Sequence, residues 1–298
     1  MVLGLAALLL GGCGTQHRPA AGATPSPSPT AASPSPSPTP SKTTKTTKPI
    51  RPIRPTNSGR PVLGNAPPSW LGTRVLPLRP DGYGVMGPTP PQLVERRFTL
   101  PDRLPALPGD GFASRVTTPA PADVIARSTW APGCPVGRDD LSWVRLAFWG
   151  FDGARHTGEL LVNAAAADDL VQVFGRLYAD RFPIEEMRIT TKPEQTLPPT
   201  GDGNDTGSFN CRATRGATSY SQHAYGLAVD VNPFQNPYTK GAVVLPELAS
   251  SYLDRSFRRP GMITPGGPVV RAFAAIGWTW GGTWHSLQDL QHFSRNGQ

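Results

Sequence analysis

The chain has 298 residues, 36 of them proline and 32 glycine, so unevenly spread that only its C-terminal part has the composition of a packed domain. The excess positive charge lies at the N-terminus, because residues 1–60 contain seven Lys or Arg and no acidic residue, which leaves 22 basic and 21 acidic residues for the remainder. This nearly neutral remainder excludes nucleic-acid binding through a basic folded surface.

The first 13 residues have the pattern of an export signal. Their apolar run is too short to span a bilayer as a helix, and it ends in small residues followed by Cys13. The string LGGC resembles a bacterial lipobox, which implies that Cys13 is lipidated and becomes the mature N-terminus. We therefore expect a bacterial cell-envelope protein outside the cytoplasm, held by acyl chains at the outer face of the cytoplasmic membrane. No basic residue precedes the run, so an uncleaved anchor or a start further upstream remains an alternative.

Two segments without regular periodicity follow. Residues 14–62 alternate Pro with Ser, Thr and Ala, which predicts a disordered, extended linker. Its positive charge suits an anionic wall polymer or anionic lipid headgroups, or is simply that of a solvated linker. Residues 63–120 mix scattered aromatic and aliphatic residues with frequent Pro and Gly, which predicts irregular strapping over a neighbouring domain.

Residues 121–298 have the periodicities of a folded domain. Alternation in LSWVRLAFWGFD places Val144, Leu146 and Phe148 on one face of a strand, and GELLVN and MRIT predict further short strands. Between them, Asn163 precedes a predicted helix. Its apolar stripe consists of Leu170, Val173, Phe174, Leu177 and Tyr178. Strands that lead into one long helix and back, without regular alternation, predict an α+β class.

The remaining cysteines are Cys134 and Cys211. If Cys13 is lipidated, these two are left as a pair in an oxidising compartment, where a disulfide is the default expectation. Two free buried thiols, or Cys211 as a zinc ligand or nucleophile, are the alternatives, although no second cysteine lies at metal-ligand spacing from either.

The stretch SYSQHAYGLAVDVNPFQNPY, residues 219–238, carries half of a predicted metal site. A strand over residues 227–231 would direct Asp230 away from the face that carries Val229. Gly226 permits the sharp backbone turn that folds His223 back toward Asp230. An imidazole and a carboxylate together supply two of the ligands that Zn²⁺ prefers.

The stretch RAFAAIGWTWGGTWHSLQDLQHFS supplies the other half. Asp289 and His292 are three residues apart, so a helical turn or bend is needed to bring both to one site. His223, Asp230 and His292 would then be three zinc ligands with a fourth position for water, as in a catalytic zinc site. Asp289 is not one of these three ligands and is expected to act as the general acid and base.

Three tryptophans interleaved with glycines accompany this second motif. Trp278, Trp280 and Trp284 are expected either to wall a groove or to pack in the core. Of the other histidines, His17 and His156 receive no functional role, and His285 is left undecided.

The two motifs together form the pattern Ser-x-His-x-x-Gly-x-Ala-x-Asp followed by Asp-x-x-His-Phe. Its residues are Ser221, His223, Gly226, Ala228, Asp230, Asp289, His292 and Phe293. This pattern resembles the VanY-type D-alanyl-D-alanine carboxypeptidase and L-alanyl-D-glutamate peptidase family of zinc metallopeptidases. The strings HAYGLAVDVNPFQNPY and GWTWGGTWHSLQDLQHF are similar to its cell-wall-peptidase branch, and the likeness covers roughly residues 124–298.

The resemblance implies roles for these residues. In that family the two histidines and the first aspartate bind Zn²⁺, and the acid of the second motif, here Asp289, activates water. Arg212 in SFNCR is implied to hold a substrate carboxylate or backbone, with Ser221 and Trp284 as further substrate contacts. The implied fold is a small antiparallel sheet with flanking helices, also seen in hedgehog signalling domains. The implied partner is the peptidoglycan stem peptide, and a monomer is expected.

Several functions remain open at this point. Zinc-dependent hydrolysis of stem peptides, most simply by a D-alanyl-D-alanine carboxypeptidase, is the main expectation, with L-alanyl-D-glutamate or cross-bridge endopeptidase activity as the alternative. Serine chemistry lacks its usual Ser-x-x-Lys or Gly-x-Ser-x-Gly motif, whereas Cys211 with His223 or His285 is a formal nucleophile pair. A lipid-anchored wall-binding module without activity is the third reading.

Overall fold

The computed structural model describes residues 64–214 and 218–297. The predicted signal segment, the linker up to residue 62 and the histidine at position 17 lie outside the described residues. Within these ranges the chain has a mixed α+β architecture of short strands and few helices. No helix there is both long enough and apolar enough to cross a membrane.

Most of the elements are short. The α-helices are α1 (Pro91–Val94), α2 (Ala122–Arg127), α3 (Ala167–Ala179) and α4 (Pro268–Ala274). The strands are β1 (Ser114–Thr117), β2 (Leu141–Gly150), β3 (Arg155–Asn163), β4 (Pro183–Ile184), β5 (Glu186–Met187), β6 (Asp205–Thr206), β7 (Ala228–Asp230), β8 (Tyr238–Lys240), β9 (Val243–Leu245), β10 (Thr279–Trp280), β11 (Gln288–Asp289) and β12 (His292–Ser294).

The largest sheet has the antiparallel order β1-β2-β3, and β4 pairs in parallel with the end of β2. As predicted, Val144, Leu146 and Phe148 of β2 share one face and are buried in the main core. That face packs against α3. The helix therefore covers one side of the sheet along the predicted stripe.

Helix α3 forms where the apolar stripe predicts it. The Asn163 side chain accepts a hydrogen bond from Ala165 N (3.0 Å), and a 3₁₀ turn over Ala164–Ala166 leads into the helix. Four stripe residues are fully buried: Leu170, Val173, Phe174 and Leu177. Tyr178 lies at the edge of the core, where its ring stacks on Trp149 at 5.0 Å.

A second sheet, of order β10-β12-β7, shares this core. Val229 and Val231 around β7 and Phe293 of β12 are fully buried in the same cluster as the α3 stripe. Phe273 of α4 stacks on Phe293 with ring centroids 4.0 Å apart and planes 9° from parallel. One face of this sheet is thus fixed by packing, which leaves the other face for chemistry.

The region before residue 121, which was expected to be irregular strapping, contributes a strand and buried side chains to the fold. Ser114–Thr117 forms β1, an edge strand of the main sheet that the sequence analysis missed because half of its residues are exposed. Arg96 is only 1% exposed and donates two hydrogen bonds to Glu185, at 2.7 and 2.6 Å. Leu93 and Phe98 share a hydrophobic cluster with residues 234–262.

The strand predicted for MRIT is shorter than expected. Only Glu186–Met187 pair, in parallel with Asp205–Thr206. The Arg188 N–H donates both to Thr206 O of the partner strand (3.4 Å) and to the Asp205 carboxylate (3.1 Å). Arg188 also forms ion pairs with Glu186 and Glu194, so side-chain contacts surround the end of this short strand.

Cys134 and Cys211 form a disulfide in the structure. The bond joins the loop after α2 to the stretch that leads into the first motif. Among the described residues, neither cysteine belongs to a cluster of metal-binding groups. The alternative of Cys211 as a zinc ligand is therefore not supported.

Candidate metal centre

Two neighbouring strands hold an aspartate and a histidine on one face. Strands β7 and β12 are antiparallel, with His292 directly opposite Asp230 and Phe293 opposite Val229. Because side chains alternate along a strand, Val229 and Phe293 enter the core while Asp230 and His292 project from the other face. His292 Nδ1 lies 3.0 Å from Asp230 Oδ1.

The third group, His223, is carried by a 3₁₀ turn over Gln222–Tyr225. The turn ends at Gly226, which has a φ of +66°, and a Cβ on this residue would lie 2.4 Å from Asn163 N. Both the conformation and the space therefore require glycine, which confirms the predicted turn. His223 Nε2 comes within 3.3 Å of Asp230 Oδ2 and 3.2 Å of His292 Nδ1.

A backbone carbonyl fixes the state of the His223 ring. Nδ1 lies 2.6 Å from Ser208 O, and because a carbonyl only accepts, Nδ1 must donate. In the neutral ring Nε2 then carries the lone pair that faces the cluster, as in metal-binding histidines whose second nitrogen is held by a carbonyl.

The donor set fits a zinc ion. One ligand atom from each of His223, Asp230 and His292 lies within 4.8 Å of the others, and both histidines are buried. Lone pairs that converge in a buried place are unsatisfied unless a cation or proton lies among them. Two imidazole nitrogens and one carboxylate oxygen form a typical ligand set of a catalytic zinc.

Asp289 and Asp230 have opposite electrostatic environments. Burial tends to raise the pKa of Asp230, but the imidazoles of His223 and His292 outweigh it and hold this pKa well below its usual range. Burial, followed by the Asp230 carboxylate, raises the pKa of Asp289 to about 7. The pKa values of the two carboxyl groups are thus shifted in opposite directions, so Asp230 is ionised at neutral pH and Asp289 can exchange a proton there.

The chain bends between Asp289 and His292, as their spacing requires. Asp289 ends β11, which pairs with β8, whereas His292 begins β12 in another sheet. Leu290 between them is buried. Asp289 is not part of the three-residue cluster, and its Oδ1 is buried without a hydrogen-bond partner in the described part of the chain. A buried, unpaired carboxyl oxygen next to the cluster matches the expected acid/base.

Residues 214–295 match the family model described as D-alanyl-D-alanine carboxypeptidase. The match confirms the resemblance to this VanY-like family over the stretch that carries His223, Asp230, Asp289 and His292, and it supports a peptidase. The family is typically metal-dependent, in agreement with the His-Asp-His cluster. No curated protein and no solved structure matches the chain.

Arg212 and Ser221, two of the residues expected to contact the substrate, have different surroundings in the structure. Arg212 is exposed, two residues before the matched stretch, and its charge acts to lower the pKa of Asp289, which places the guanidinium within electrostatic range of that carboxyl. The Ser221 hydroxyl accepts a hydrogen bond from His223 N (3.4 Å), so this side chain caps the turn that carries the ligand. Ser221 therefore has a structural role in the turn, and its contact with substrate stays a prediction.

The tryptophans divide between core and site. Trp278 and Trp280 are buried in the main core, and Trp280 Nε1 donates to Leu290 O (2.8 Å). Trp284 is half-buried, with its ring centroid 5.4 Å from that of His292, and its Nε1 has no partner among the residues described. Trp284 alone is thus available as a wall of the site.

His156 and His285 lie outside the cluster. His285 is exposed on the loop after Trp284. His156, in β3, has its two ring nitrogens near carboxylates, Nδ1 at 2.8 Å from Asp102 and Nε2 at 3.1 Å from Asp152. Neither joins the three ligands.

Sequence reasoning missed two contributors to the centre. The Ser208 carbonyl orients His223, and a backbone group has no sequence signature. Tyr238 lies directly across the ladder from Asp289, and its only sequence signal is its position at the end of the string HAYGLAVDVNPFQNPY.

Proposed function

We propose that the chain is a zinc-dependent peptidase that hydrolyses peptide bonds in bacterial peptidoglycan stem peptides, in the simplest case as a D-alanyl-D-alanine carboxypeptidase. One observation carries the proposal: His223 Nε2, His292 Nδ1 and the Asp230 carboxylate converge, and the half-buried Asp289 offers a separate carboxyl whose Oδ1 is buried. The family match over the same residues gives the substrate class its support.

His223, Asp230 and His292 would hold the zinc ion. A bound Zn²⁺ lowers the pKa of its water and polarises the scissile carbonyl. The Ser208 carbonyl keeps Nε2 of His223 available by fixing the proton on Nδ1. In the metal-free site the two imidazoles hold the pKa of Asp230 well below its usual range, so its carboxylate is already ionised when a cation binds.

Asp289 would move the proton. Its free Oδ1 accepts a proton from the attacking water and returns it to the leaving amine, which a carboxyl with a pKa near neutrality can do in both directions. The exposed Arg212 would bind the terminal carboxylate or a backbone carbonyl of the peptide, and the free Nε1 of Trp284 offers a further donor.

The proposal extends to fold and location. We infer the hedgehog-like arrangement of the family for residues 121–298 and a lipid anchor at Cys13 on the outer face of the cytoplasmic membrane. Radiolabelled lipid should be incorporated into the exported protein and lost in Cys13→Ser. Unchanged labelling of that variant would reject the anchor while leaving the peptidase proposal intact.

Alanine variants distinguish the three proposed metal ligands from the proposed general base, Asp289. Alanine variants of His223, Asp230 and His292 should lose zinc and activity together, because each removes one of three protein ligands. Asp289→Ala should keep close to one zinc per chain and lose roughly 10²- to 10⁴-fold in turnover, the usual contribution of a positioned acid/base. His156→Ala is the matched control, since this histidine also faces carboxylates but lies outside the cluster.

Elemental analysis and mass spectrometry of digested muropeptides are the two measurements. Release of D-alanine indicates the carboxypeptidase, whereas stem fragments indicate the endopeptidase. Loss of zinc from Asp289→Ala with retention in Asp230→Ala would reverse the two assignments. Zinc binding without any hydrolysis would favour a wall-binding module.

A further inference from the structure

A tyrosine lies directly across the β-ladder from the proposed proton carrier. Tyr238 of β8 pairs with Asp289 of β11. Residues paired in this way project to the same face with Cβ atoms about 4.5–5.5 Å apart, so the phenol ring and the carboxyl lie side by side. Tyr238 is half-buried, and its hydroxyl forms no hydrogen bond with the residues that the structure describes.

A second tyrosine approaches the same place from the segment before the main domain. Tyr83 belongs to the turn of residues 78–84, in which Arg79 N donates to Tyr83 O (2.7 Å) and Leu78 bridges to Gly84. Burial, then the Tyr83 phenol and the Asp289 carboxylate, raise the pKa of Tyr238. The Tyr83 phenol is therefore within electrostatic range of Tyr238, which itself pairs with Asp289.

The turn is fixed to the strands beside the metal centre. Arg79 Nη1 donates to Ala242 O (2.9 Å) at the tip of the β8–β9 hairpin, and Gly84 N donates to the buried Glu247 Oε1 (3.0 Å). Since β8 also pairs with β11, the turn and Asp289 are held by one small sheet, of order β11-β8-β9.

Apolar side chains accompany the turn at the surface. Leu78, Val85 and Met86 are 61%, 44% and 43% exposed, although each is large and apolar. Grouped exposed apolar side chains mark contact surfaces more often than single ones do.

We infer that Tyr238 and the 78–84 turn form a wall of the peptide-binding cleft. The Tyr238 hydroxyl donates a hydrogen bond to a carbonyl or carboxylate oxygen of the bound stem peptide, and Tyr83 with its apolar neighbours contacts the peptide's small aliphatic side chains. This inference rests on the proposed peptidase function. Through the 78–84 turn, the inference assigns part of substrate recognition to residues outside the matched stretch 214–295.

Three variants test the wall without touching a zinc ligand or Asp289. Tyr238→Phe removes only the hydroxyl. Gly84→Ala displaces the turn, because its Cβ would lie 2.6 Å from Glu247 Oε1 and 3.1 Å from Pro199 Cγ. Arg79→Ala removes the exposed anchor to Ala242 and does not disturb buried packing.

Two matched controls are available. Gly111→Ala places its Cβ in open space, with nothing within 4 Å, and Tyr178→Phe removes a hydroxyl that donates to Asp110 O far along the chain from the site.

The measurements are KM and kcat for muropeptide hydrolysis and, independently, calorimetric binding of a stem pentapeptide ending in D-alanyl-D-alanine to the zinc-loaded Asp289→Ala protein. We expect each wall variant to weaken peptide binding and raise KM roughly 3- to 10-fold, as for the loss of one hydrogen bond, with kcat within about twofold and zinc content unchanged. Both controls should match the parent protein.

The outcomes separate this inference from the proposed function. Normal hydrolysis with unchanged KM and affinity in Tyr238→Phe and Arg79→Ala would overturn the wall and leave the peptidase. If the wall variants weaken peptide binding but the parent protein does not hydrolyse the peptide, the result would support the wall and overturn the peptidase proposal. A parent protein that neither binds nor cleaves the peptide overturns both.

Discussion

Replacing Gly226 by alanine tests whether the metal centre depends on the turn that carries His223. At a φ of +66°, an L-residue costs about 1–2 kcal/mol. The new Cβ would also lie 2.4 Å from Asn163 N and 3.0 Å from Val162 C, an overlap whose cost we take as that of overpacking, about 1–3 kcal/mol. The free energy of unfolding should therefore fall by about 2–5 kcal/mol.

Urea unfolding of the metal-free protein measures this loss, and a zinc titration measures its effect on the site. Gly277→Ala is the control for backbone strain, since Gly277 has a φ of +78° but a Cβ on this residue would have no other atom within 4 Å. That variant should lose only about 1–2 kcal/mol and bind zinc normally. Gly226→Ala should bind zinc more weakly, because the backbone next to His223 must move. Equal stability and equal zinc affinity in the two variants would refute the close-contact argument.

Three further predictions concern charge and covalent linkage. In the metal-free protein, a carboxyl whose pKa is raised from 3.8 to about 7 binds a proton in the folded state that the unfolded state has lost, so Asp289 should make stability fall as pH rises from about 4 to 7. Urea unfolding at several pH values should show a smaller pH dependence of stability in Asp289→Asn than in the parent. The buried Glu185 and Asp205, whose pKa values are also raised, contribute equally to both proteins. An unchanged pH dependence in Asp289→Asn would contradict the raised pKa of Asp289. Replacing both Cys134 and Cys211 by alanine should cost roughly 4 kcal/mol on the chain-entropy estimate while zinc stoichiometry stays constant, and loss of zinc would revive a ligand role for Cys211. Arg96→Met should lower the free energy of unfolding by about 3–5 kcal/mol, because it leaves the buried Glu185 carboxyl with the neutral Asn204 side chain and no charged partner. A thermal midpoint equal to that of the parent would be inconsistent with the ion pair.

What could be predicted from the sequence was local. The α3 stripe, the alternation in β2 and the glycine turn before Asp230 each depend on residues within one element, so residue type and spacing were sufficient. The choice of His223, Asp230 and His292 as a ligand set depended on the combination of two motifs, and the structure brings these three together.

What could not be predicted was long-range. The register that sets His292 opposite Asp230 joins strands 62 residues apart, and nothing in either motif specifies it. The burial of Arg96 against Glu185, 89 residues away, contradicts the usual exposure of charged side chains, so composition predicted strapping at the surface. The Ser208 carbonyl and the Tyr238 phenol acquire their relation to the centre only through this folding.

The pairing of β7 with β12 has a consequence for the order of events during synthesis. His292 is synthesised 62 residues after Asp230, so the third proposed ligand is added only with the strand that completes the sheet. A nascent chain that ends before residue 292 holds two ligands and an unpaired strand edge, which is a poor competitor for zinc. If the chain binds zinc as proposed, metal binding would thereby depend on completion of the fold, and truncated chains would lack the ion that stabilises the native state.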